Sequence, residues 1–88
     1  MDKHENCVKA IAMYNRYHSP EATARLIECK DDELLIEFEG SFCQTCGAYD
    51  YLEDFVYELK NFVDANVKMV DAEQTNVDSY RARYTFRR

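Results

Sequence analysis

The sequence predicts a single two-layer α+β domain of order αββαββ, a four-stranded antiparallel sheet with two helices on one face. Two segments repeat apolar residues every three or four positions, as helices do, and four short segments read as strands. The 88 residues, taken as one domain over 1–88, can bury roughly two-thirds of the unfolded surface. With 47% hydrophobic residues, five Phe and seven Tyr, the chain can build a core rather than stay disordered. Two Gly and one Pro are too little turn material for an all-β sandwich.

The first helix is expected over residues 3–17. Asp2 and Glu5 have capping-box spacing, and Cys7, Ala10, Ile11, Tyr14 and Tyr17 recur on one face behind them. Ser19-Pro20 stops it, because proline disfavours the helical conformation in the residue before it. Residues 22–29 fit a first strand, and Lys30-Asp31-Asp32-Glu33 a polar turn. Leu34, Ile36 and Phe38 then alternate with Leu35, Glu37 and Glu39, a half-buried strand with an acidic outer face. Gly40 to Tyr49 connects to the strongest element. There Asp50 and Glu53 form an N-terminal pair, and Leu52, Phe55, Val56, Leu59, Phe62 and Val63 follow helical spacing to about Ala65-Asn66. Residues 67–72 read as a third strand, 75–78 as a loop, and Tyr80, Ala82, Tyr84 and Phe86 as the inner face of a fourth strand.

This order resembles a ferredoxin-like β-α-β-β-α-β chain whose first strand has moved to the end. The resemblance implies that the hairpins lie side by side with the second and fourth strands central. Glu37 and Glu39 are then expected to face Arg81 and Arg83.

Charge is unevenly spread. Residues 1–79 hold all seventeen acids and seven bases, a net of −10, while Arg81, Arg83, Arg87 and Arg88 crowd the last nine residues. An acidic body repels a polyanion, so duplex nucleic acid is not an expected partner. Tyr–Arg alternation on the last strand resembles the base-stacking faces of RRM-type folds, but alternation sends rings and guanidinium groups to opposite faces. Cross-strand ion pairing is the expectation there. No apolar run approaches the roughly 18 residues of a membrane helix. Met1 to Asn6 is charged and has no apolar signal core, so the expected setting is cytoplasmic, with no membrane partner.

Cys43-Gln44-Thr45-Cys46-Gly47 is the sharpest chemical motif. C-x-x-C can place two thiolates on one zinc ion, and the C-x-x-C-G form resembles half of a zinc-ribbon or rubredoxin-type knuckle. A strand, a C-x-x-C and a helix also resemble the thioredoxin arrangement, although the elements that follow do not continue that order. The third reading is two ordinary thiols in a connector. Cys29 and Cys7 are expected too far from the motif to share a site, whereas His18 and Asp50 flank it. Cys43, Cys46 and His18, completed by Asp50 or water, are therefore the expected metal set, with His18 otherwise a helix C-terminal residue favoured by the dipole. Asp31, Asp32 and Glu33 lack the pattern of a calcium loop, and no carboxylate pair stands out as catalytic.

The functional expectation is a small non-enzymatic domain that binds a protein or small ligand. Its alternative is a zinc or thiol-redox protein using Cys43 and Cys46. Exposed strand edges could also pair two copies into a dimer.

Overall fold

A computed structural model describes residues 3–41, 48–63 and 66–87. The order is α1 (Lys3–His18), β1 (Thr23–Cys29), β2 (Glu33–Glu39), α2 (Ala48–Lys60), β3 (Asn66–Asn76) and β4 (Ser79–Arg87). The four strands form one antiparallel sheet in the order β1-β2-β4-β3, so the second and fourth strands are central as expected. Asp2, the expected N-cap of α1, lies outside the described residues.

Both helices lay their apolar stripes on one sheet face. Cys7, Ala10 and Tyr14 of α1 and Leu52, Phe55 and Leu59 of α2 are fully buried against Leu34, Ile36, Phe38, Ala82 and Tyr84. At the centre Tyr14, Phe38 and Phe55 meet edge to face at 5.4–5.8 Å, and Phe55 lies 5.2 Å from Tyr84. Such pairs add about 0.5–1.5 kcal/mol each beyond area burial. Two tyrosines tie this core to the first turn of α2. Tyr14 donates its hydroxyl to the Tyr51 carbonyl at 2.8 Å and Tyr84 donates to the Leu52 carbonyl at 2.7 Å. Burial pushes both hydroxyls well above the ordinary tyrosine range, with Asp54 adding to the effect at Tyr14 and Tyr14 itself adding to it at Tyr84.

Several boundaries differ from expectation for identifiable reasons. α2 starts at Ala48 and ends at Lys60, about five residues early. Asn61 and Phe62 bond three residues back, to Glu58 and Leu59, and this tightening ends the helix, leaving Phe62 and Val56 half-buried. Tyr17, expected on the inner stripe of α1, is exposed. β3 runs on to Asn76, with a turn of only Val77 and Asp78 before β4. Asn76 stabilises that turn by accepting the Val77 N–H on its side-chain oxygen at 2.7 Å.

The outer face corrects the expected charge pairing. Glu37 lies opposite Arg81, but Glu39 lies opposite Ser79 and Arg83 opposite Leu35. Antiparallel strands run in opposite directions, so two residues forward from Glu37 meets two residues back from Arg81. Arg83 instead reaches Glu33 at 3.6 Å.

The two sheet edges are treated differently. On β1, the Asn15 side chain takes both backbone groups of Ala24, accepting its N–H at 2.6 Å and donating to its carbonyl at 3.1 Å. Beyond that clasp β1 bulges at Ile27. β3 bulges at Val70 and Thr75, and among the described residues no side chain is seen to clasp its outer edge as Asn15 clasps Ala24. Beyond the bulges at Ile27 and Val70 the inward positions fall on Cys29 rather than Glu28 and on Ala72 rather than Asp71, since an extra residue shifts the in–out alternation.

Candidate functional site

The expected metal set is only partly within view. Cys43 and Cys46 lie outside the described residues, and among the described ones no cluster of three His, Cys, Asp or Glu could hold a metal ion. Cys7 is buried in the core and Cys29 is half-buried at the end of β1. His18, at the end of α1, reaches α2. The carboxylate it meets is Asp54, at 3.2 Å from Nε2, one turn beyond the expected Asp50, which is exposed.

His18 is firmly seated. Its ring stacks on Tyr14 at 4.1 Å and 7°, Tyr51 approaches edge-on at 6.0 Å, and Nδ1 lies 3.0 Å from the Tyr14 carbonyl. A carbonyl and a carboxylate only accept, so a ring N–H on either side donates to its neighbour. Beside it Tyr51 donates its hydroxyl to Glu21 at 2.9 Å, a bond that raises the Tyr51 pKa. These contacts staple the end of α1 to the first turns of α2. A metal ion at His18 would have to displace one of them.

The outer sheet face holds a charge network and, among the described residues, no aromatic platform. The Glu37 side chain is only 12% exposed and accepts from Arg25 on one side and from Arg81, at 3.4 Å, on the other. The Arg25 hydrogen bond above all, then the charges of Arg25 and Arg81, hold this carboxyl below the usual carboxylate range against the opposing effect of burial. Tyr84 and Phe86 are buried on the opposite face, and Tyr80 is half-buried against Tyr49. The face therefore offers ion pairs rather than rings for stacking.

A concavity lies elsewhere, where α2 overhangs the β3 edge. It is an open groove of about 300 Å³ with Val56, Tyr57, Val67 and Met69 as its apolar walls. Glu53 and the two lysines, Lys60 and Lys68, form its rim. Tyr57 is 65% exposed, although it sits on the most amphipathic helix of the chain. The groove exists because the apolar residues of α2 exceed what the sheet can cover. Leu52, Phe55 and Leu59 point into the core, and the run continues through Val56 and Tyr57 toward the strand edge. Helical spacing places Val56 on the core stripe of this helix and leaves Tyr57 off it. The available signal was the width of Phe55-Val56-Tyr57, one residue more than a core-facing stripe requires.

The chain matches no protein-family model, no curated protein and no solved structure. Among the described residues, no helix is long and apolar enough to cross a membrane.

Proposed function

We propose that this protein is a non-enzymatic binding domain that takes an extended segment of a partner into the groove between α2 and the β3 edge. The observation that carries the reading is the contrast between the edges: Asn15 clasps β1, whereas β3 borders an apolar groove. Alternate residues of an edge strand turn their N–H and C=O outward, so an added chain gains main-chain hydrogen bonds while its side chains enter the neighbouring pocket. The mixed-charge surface suits an aqueous setting, which we take to be the cytoplasm.

Selection of a displayed library of random dodecapeptides against the isotope-labelled chain tests this. Selected peptides are expected to shift the backbone resonances of Val56, Tyr57, Val67 and Met69, and Tyr57→Ala is expected to weaken them severalfold. Peptides that instead shift the outer sheet face or α1 would refute the groove as the site.

The alternative is zinc or thiol chemistry at Cys43 and Cys46. It is favoured by the position of His18 against the first turns of α2, the helix that follows that motif. Zinc and reactive thiols counted per chain, after purification without chelator, decide it. Substoichiometric zinc with slow, ordinary thiol titration removes this reading.

A further inference from the structure

We infer that the segment taken into the α2–β3 groove carries carboxylates at the end lying beside Lys60 and Lys68. This rests on the groove being the docking site, and charge supplies the further step. Five of the described basic side chains are paired: Lys9 with Glu5, Lys30 with Glu28, Arg25 and Arg81 with Glu37, and Arg83 with Glu33. Lys60 and Lys68 line the groove and, among the described residues, have no carboxylate within ion-pair distance. In a chain of net charge −6, two such cations on one apolar groove form a local patch of opposite sign to the whole molecule.

Their placement gives the groove a polarity. Lys60 stands in the last turn of α2 and Lys68 near the start of β3, so both belong to the end where the chain passes from helix to strand. Glu53 lies seven residues earlier on α2, about 10 Å along the helix axis. A carboxylate entering at the lysine end meets two cations, whereas at the other end it meets Glu53. The bulge at Val70 also limits register, because Asn66–Met69 is the regular stretch of β3 beside the groove. Four residues span about 13 Å, room for two inward side chains. The occupant that fits is a short extended peptide with apolar residues at alternate positions and an acidic end.

The test compares two capped heptapeptides that alternate valine and threonine, one ending in two glutamates and the other in two lysines. Each is titrated at low salt into the labelled chain and followed by backbone amide shifts. The glutamate peptide is expected to bind roughly tenfold tighter, a preference that fades with salt, as partly exposed charge pairs do. The double variant Lys60→Gln, Lys68→Gln is expected to abolish the preference while still binding. Equal affinities, or a tighter lysine peptide, with shifts still in the groove would overturn the acidic assignment and leave the groove standing. Shifts elsewhere, or none with either peptide, would overturn both. Groove shifts that depend on protein concentration without peptide would assign the groove to a second copy and overturn the acidic-peptide assignment.

Discussion

Replacing Gly40 by alanine probes the join between the first hairpin and the rest of the fold. Gly40 follows β2 with φ +145°, and its N–H donates to the Asp78 carbonyl at 3.0 Å, linking this corner to the β3–β4 turn. A Cβ built on Gly40 would lie 2.2 Å from the backbone oxygen of Glu21, 2.8 Å from its carbonyl carbon and 3.0 Å from the Pro20 oxygen. Those atoms belong to the main chain entering β1, so no flexible side chain can swing away. The backbone conformation alone costs an L-residue about 1–3 kcal/mol. Relieving the overlap by moving the α1–β1 connection costs about another 1–3 kcal/mol. Alanine also lowers the entropy of the unfolded chain, but that gain of about 0.4–1 kcal/mol is too small to offset the strain. The net loss is roughly 1–5.5 kcal/mol, from a total of roughly 4–13 kcal/mol for a domain of this length. Since the chain has no Trp, urea unfolding is followed by far-UV circular dichroism and tyrosine fluorescence, with Ser41→Ala as the exposed neighbouring control. A loss below about 1 kcal/mol at unchanged m-value, with a native spectrum, would refute the close approach of Gly40 to Glu21.

Other expectations follow from the same contacts. Tyr84→Phe removes the buried hydroxyl that donates to the Leu52 carbonyl and should cost about 1–2 kcal/mol in urea unfolding, with Tyr14→Phe at the lower end of that range. The raised pKa values of Tyr14 and Tyr84 mean that their contribution is intact below the ordinary tyrosine value near pH 10 and is lost as pH rises through the folded values. Absorbance at the tyrosinate band should therefore show both ionising only together with unfolding. Glu37 has the opposite sign: its lowered pKa makes its contribution present above the ordinary carboxylate range and lost as pH falls through the folded value. Glu37→Gln should lower the urea midpoint at pH 7 more than Glu39→Gln, and the gap should close in acid. A gap that persists unchanged at pH 2–3 would contradict the ion-pair origin.

The secondary elements were legible because each carries its own period. Cys7, Ala10 and Tyr14 lie on one helical stripe, and Leu34, Ile36 and Phe38 alternate, so local spacing sufficed to name α1 and β2. The alternation of Tyr80, Ala82, Tyr84 and Phe86 also placed β4, and with it the position of both helices on one face. Bulges were not legible. Ile27 and Val70 look like ordinary strand residues, and only pairing with β2 and β4 shows that the partner strand has no residue to match them. The candidate site divided along the same line. His18 is expected beside Cys43, Cys46 and Asp50, and the described carboxylate that meets it is Asp54, because the rotation of α2 about its axis is decided by which of its side chains the core accepts.

What the sequence by itself determined is the set of elements, their order and the face each buries, since these depend on propensity and periodicity within a few residues. Tertiary structure alone decided which charges meet across β2 and β4, that Asn15 closes the β1 edge, and that Val56, Tyr57 and Met69 form a groove instead of core. Those outcomes depend on register and on the finite width of the sheet, quantities set when separate elements compete for the same neighbours.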